Sequence, residues 1–137
     1  DLHEDPASMF IGYFIASPGM NMLECTVEQD GTVKFNGTSF KISKKKASSL
    51  LEYGNEFTFG IRPEYIQYSS EKSKNAVSGV VKLVEDTGAY KIVTTTLDTV
   101  DIKSRAPETM PVNEGDVSWL TFPEEEIKFY KDGKKVI

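Results

Sequence analysis

Few side chains in this sequence combine a reactive type with a useful neighbour. The one imidazole, His3, lies in the first few residues, where order is least assured. The one thiol, Cys25, has no second cysteine to pair with, which favours a reducing compartment and reads as a small strand residue. One histidine and one cysteine without a matching ligand set exclude a structural zinc site. Carboxylates stand together at Glu85-Asp86 and Glu124-Glu125-Glu126, and paired acids can divide general acid and base roles when their environments split their pKa values. Both groups fall at turn signals, where solvated loops are the ordinary reading. No G-x-x-x-x-G-K-[ST] loop is present to cradle nucleotide phosphates. Lys44-Lys45-Lys46 lacks interleaved aromatics and reads as an exposed helix face. What remains is a charged break in an apolar run, "FTFGIRPEYI", where Arg62, Pro63 and Glu64 interrupt a strand pattern. Proline lacks an amide donor and disfavours helical geometry at Arg62, so a strand should leave its ladder there as a corner, braced by charge-assisted hydrogen bonds from Arg62 and Glu64.

The elements that must position these residues are short. At 137 residues the chain fits one domain, or one domain with a short appendage. A net charge of -5 gives no attraction for phosphate backbones, so nucleic acid is not an expected partner. No run approaches the ~20 apolar residues that cross a bilayer. Apolar residues at Met9, Phe10, Tyr13 and Phe14, after Pro6, predict an amphipathic helix that "ASPG" ends. From Met22 the period shortens towards two. Asp30-Gly31 and Asn36-Gly37 predict two-residue hairpin turns with positive φ at both central positions. "SKKKASSLLEYG" predicts one interior helix with Ser43 as cap, Leu50 and Leu51 inward and Gly54 as stop. Five further strands follow, from "AVSGVVKLVEDTG" to "EIKFYK", with breaks at Thr87-Gly88, Asp98-Thr99, "PETMPVNEGD" and "FPEEE", and the terminal "KDGKK" is another turn. The pattern is mainly β, a small barrel or a tightly packed sheet pair. On a strand, Trp119 shares one side with Val117 and Thr121, as a buried anchor or a contact surface.

Three stretches, "HEDPASMFIGYFIASPGMNML", "FGIRPEYI" and the tail from "VEDTGAYKIV" onward, together resemble the C-terminal regulatory region of ATP-binding subunits from bacterial carbohydrate ABC importers of the maltose type. The most specific parts are S-P-x-M-N, here Ser17, Pro18, Met20 and Asn21, and G-[IV]-R-P-E, here Gly60, Arg62, Pro63 and Glu64. The resemblance implies an OB-like TOBE small barrel over residues 17–137, with residues 1–16 a helix leaving an ATPase domain that precedes this piece. ATP and Mg would belong to that domain, leaving no cofactor and no catalysis here. The implied role is regulation and dimerisation, with a second copy of the subunit, the importer's membrane subunits, and a regulatory protein or small molecule as partners. Its place would be cytoplasmic, at the inner face of the cell membrane. Trp119 and Phe122 are the interface candidates. The alternative is a small-ligand or oxyanion-binding regulatory module of another importer, of glycerol phosphate, polyamine or metal type.

Overall fold

The computed structural model describes residues 19–137. The helix expected over residues 1–16, and Ser17 and Pro18 of the first motif, lie outside the described residues. Two antiparallel sheets hold about half of the described residues. The first orders its six strands β11-β10-β4-β1-β2-β3, where β1 is Asn21–Val27, β2 Thr32–Phe35, β3 Thr38–Lys41, β4 Glu56–Ile61, β10 Lys128–Lys131 and β11 Lys134–Lys135. The second orders five strands β5-β9-β6-β7-β8, with β5 Gln67–Ser69, β6 Val77–Asp86, β7 Tyr90–Leu97, β8 Val100–Pro107 and β9 Val117–Thr121. The mainly β, OB-like architecture expected from the sequence is therefore present, with a sheet curled as a half-barrel and, among the described residues, one α-helix.

That helix, α1 (Lys44–Leu51), starts where Ser43 accepts a hydrogen bond from the Lys46 amide, and it buries Ala47 and Leu50. Leu51 is only half-buried, at the edge of the core. Glu124, expected to be one of three solvated acids, instead accepts from the Ser43 amide (2.8 Å) and hydroxyl (2.9 Å), placing a carboxylate at the positive end of α1. The Asn36-Gly37 turn has positive φ at both residues, as its hairpin requires. Asp30-Gly31 does not: only Gly31 is left-handed, and the loop is longer because Glu28 and Gly31 close a four-residue turn before β2 begins. Asp30 accepts from the Thr32 amide instead (3.0 Å), a local bond that favours the wider turn.

Alternation along the strands turns Cys25, Val27, Val33, Phe35, Phe57 and Phe59 towards the second sheet, which contributes Val77, Leu97, Ile102 and Leu120 to the same core. Phe35, Phe40, Phe59 and Phe122 meet with ring centroids 5.0–6.3 Å apart, mostly edge to face, the arrangement aromatic quadrupoles prefer. A second, smaller cluster of Val81, Val93, Ala106 and Val112 lies further along the five-stranded sheet. Between the two clusters, the inward row carries Thr95, Ser104 and Ser118, all buried, with Thr95 and Ser118 hydroxyls bonded at 2.9 Å.

Candidate functional site: the joint between the sheets and the outer face

The two motifs, some 40 residues apart in sequence, close on one another. Asn21 opens β1 directly opposite Ile61, the residue before Arg62. Its side-chain amide donates to the Ile61 carbonyl (3.2 Å) and to the Lys103 carbonyl (2.9 Å), and its oxygen accepts from the Lys103 amide (2.9 Å). Lys103 lies on β8, an edge strand of the other sheet, so Asn21 pairs with that edge as a neighbouring backbone would. Asparagine suits the place because its planar amide carries both donor and acceptor. The outward neighbours of Asn21 fill the opposite side: a Cβ on Gly60 would stand 2.6 Å from Met22 Sδ and 2.7 Å from Met20 Sδ. Thus Met20, Asn21 and Met22 meet Gly60 and Ile61 in one structural joint, which ends just before Arg62.

Beyond Ile61 the strand does leave its ladder. Arg62 is extended (φ -79°, ψ 146°) and Pro63–Tyr65 make a single 3-10 turn, held by Tyr65 N–H to Arg62 O (3.0 Å) and Ile66 N–H to Pro63 O (3.2 Å). The bracing expected of Arg62 and Glu64 differs from this. Among the described residues their side chains join no ion pair or hydrogen bond, because both are exposed and the backbone itself closes the turn. Arg62 does stand near Tyr130, whose phenol is raised by burial, with the guanidinium acting in the opposite direction.

A second asparagine repeats the device at the far side of the first sheet. Asn75, in the loop before β6, accepts from the Lys41 amide (2.7 Å) and donates to the Lys41 carbonyl (2.9 Å), satisfying β3, the edge strand there. Neither Asn75 nor this pairing stands out in the sequence; a lone Asn in a polar loop carries no visible sign of the strand it will meet.

The candidate contact residues divide. Phe122 is 3% exposed and packs against Phe35, Phe40 and Phe59, so its interface role is corrected to a core role: directly after β9 the chain carries it in among the rings of the first sheet. Trp119 is half-buried and does share one side with Val117 and Thr121, but that side is the outer face; Ser118 and Leu120 point in. Lys72 sits over its ring at 5.9 Å. On the same outer face Val117 pairs with Val80, and they are 52% and 50% exposed.

Ionisable groups are perturbed at scattered places and for local reasons. Burial pushes the Cys25 thiol up to about 12, which keeps it protonated and unreactive. Asp30 is lowered to about 2 by the Thr32 side chain and amide, with Lys41 assisting, and Asp101 is lowered by Lys82 and Thr96. None of these faces another perturbed group across a cleft. Among the described residues, no three His, Cys, Asp or Glu side chains converge as a metal ion requires. The open groove of about 550 Å³ on the outer side of the first sheet, lined by Glu24, Lys34, Glu56 and Tyr130, is polar and shallow.

Comparison with known proteins agrees with this geometry. The description "MalK OB fold domain" matches residues 17–66 and "TOBE domain" matches residues 59–128, the two overlapping across the Gly60–Glu64 corner. Over 101 residues the chain is 35% identical to the trehalose/maltose import ATP-binding protein MalK of Thermococcus litoralis, covering 68% of this chain and 27% of that protein. It is 31% identical over 139 residues to the sn-glycerol-3-phosphate import ATP-binding protein UgpC of Escherichia coli O157:H7, covering 98% and 37%. With the oligosaccharides import ATP-binding protein MsmX of Bacillus subtilis it shares 29% identity over 129 residues, covering 89% and 35%. The chain thus spans roughly a quarter to a little over a third of these relatives. Among solved structures, the cytoplasmic molybdate-binding protein ModG superimposes with a TM-score of 0.65 at 15% identity, over 80% of this chain and 94% of that one, a likeness of fold. The chain belongs to the TOBE domain family, with a MalK-type OB fold over its first strands, and its matched relatives are import ATP-binding proteins.

Proposed function

We propose that this chain is the non-catalytic regulatory and dimerisation domain of the ATP-binding subunit of a sugar ABC importer. The observation that carries the reading is the joint at Asn21, which fastens the two motif segments to each other and to an edge strand of the second sheet. An appendage that pairs with its copy keeps two ATPase domains near each other while they open and close, raising the effective concentration for reassociation. On this reading residues 1–16 lead out of a preceding ATPase domain, which holds ATP and Mg. The importer's membrane subunits are reached through that domain, at the inner face of the membrane. A regulatory protein or small molecule would act by binding one arrangement of the pair more tightly than the other.

Two measurements test this. Sedimentation equilibrium of the chain from micromolar to near-millimolar concentration should give dimers whose affinity is unchanged by ATP. Strengthening by ATP, or ATP hydrolysis above the buffer background, refutes the assignment. So does a parent reading frame with no phosphate-binding loop upstream.

A further inference from the structure

The outer face of the five-stranded sheet carries more exposed apolar surface than a solvated face needs. Val117 and Val80 sit side by side across the β9–β6 pair, and Leu83, 42% exposed, lies beyond the bulge at Lys82. Trp119 continues the row on β9, opposite Ser78. The inward side of the same strands is already filled by the core, so this second apolar stripe is not explained by folding.

Resting on the pairing role proposed above, we infer that this face, centred on Val80 and Val117, is where two copies of the chain meet about a two-fold axis. Charge argues for a second copy over a charged partner. The chain carries -5 overall, so two copies repel at most of their surfaces. Here, however, Asp101 is internally paired with Lys82 at 2.7 Å, and the neighbouring outward charges on β8 are Lys103 and Arg105. The face is therefore close to neutral or slightly basic, the part of an acidic molecule that can approach its own copy at least cost. Area sets the strength. Four strands about 4.8 Å apart and about eight residues long at ~3.4 Å each present roughly 500 Å² in projection. Two such faces come to about 1,000 Å², the lower limit for specific association. A contact of that size dissociates when the chains are dilute and holds when a preceding domain keeps them together. In a two-fold contact each residue meets its own copy or a near neighbour, so a like charge placed at the centre is repeated across the axis.

The experiment compares the 137-residue chain with Val80→Lys and Val80→Glu, with Val117→Lys as a second position. Circular dichroism and thermal unfolding check that each variant folds, as expected where both positions face solvent. Sedimentation equilibrium should give dimers for the parent chain and at least tenfold weaker association for each variant alone. An equimolar mixture of the Val80→Lys and Val80→Glu chains should recover association, which loss of folding could not mimic. Undiminished dimers in all variants would overturn this face while leaving the pairing role standing. A parent chain that stays monomeric to the highest concentration would overturn both.

Discussion

Replacing Asn21 by alanine removes three hydrogen bonds at once, two to Lys103 and one to Ile61. A net ~0.5–1.5 kcal/mol per bond would give about 1.5–4.5 kcal/mol if all three were lost without replacement. Lys103 is exposed and water can reach its freed amide and carbonyl, which brings the expected cost to about 1.5–3 kcal/mol. For a chain of this size that corresponds to a fall of roughly 5–12 °C in Tm. Urea unfolding followed by far-UV circular dichroism measures the loss. Amide hydrogen exchange localises it, because the Lys103 N–H should lose protection while its strand neighbours keep theirs. Asn21→Asp separates donor from acceptor. The carboxylate can still accept from the Lys103 amide, but it faces two carbonyl oxygens that Asn21 served as donor. At neutral pH this variant should be at least as unstable as Asn21→Ala, and acid should restore part of the loss as the carboxyl regains a proton. A midpoint for Asn21→Ala within ~0.5 kcal/mol of the parent, with Lys103 still protected, would refute the argument that this amide joins the sheets.

Two strand glycines, Gly79 on the inward side of β6 and Gly60 on the outward side of β4, should respond differently to alanine. At Gly79 a Cβ would stand 2.5 Å from the Thr96 backbone oxygen, which cannot yield, so Gly79→Ala should cost more than about 2 kcal/mol by urea unfolding. At Gly60 the obstacles are the flexible Met20 and Met22 thioethers, and Gly60→Ala should cost less than about 1 kcal/mol. Asp30 titrates at about 2 in the folded chain, below its unfolded value, so its contribution is present above about pH 4 and is lost as pH falls towards 2. Asp30→Asn should flatten the acid limb of a stability profile over that window, and an unchanged limb would count against the Thr32 bonds as its cause. Cys25, buried with its thiol pushed up to about 12, should react with a thiol reagent only at the rate of unfolding, and fast labelling of the native chain would contradict that burial.

Strand positions were legible because alternation and turn residues are local properties. The five strands from β6 to β10 fall where Val, Ile, Thr and aromatic runs are broken by Thr87-Gly88, Asp98-Thr99, "PETMPVNEGD" and "FPEEE". Ser43 and Gly54 bound α1 for the same reason: a cap and a left-handed stop act within one turn. β5 was missed because three residues, Gln67–Ser69, are too few for a period to register. Asp30-Gly31 was misread because the dipeptide suits more than one turn, and the Asp30 bond to Thr32 selects the longer one. Phe122 and Trp119 sit three residues apart with opposite fates, one in the aromatic core and one outside it.

By itself, then, the sequence determined that this chain is a mainly β member of its family, with a corner at Arg62-Pro63 and an interior helix after Ser43, since each rests on neighbours in the chain. The tertiary structure alone decided that Asn21 reaches Lys103 across 82 positions, that Asn75 satisfies Lys41, and that Glu124 holds Ser43. Each of these pairs joins an element to one it never neighbours in sequence. A side-chain amide or carboxylate looks the same whether it meets water or a free strand edge, and only the packing of two sheets determines which of them it meets.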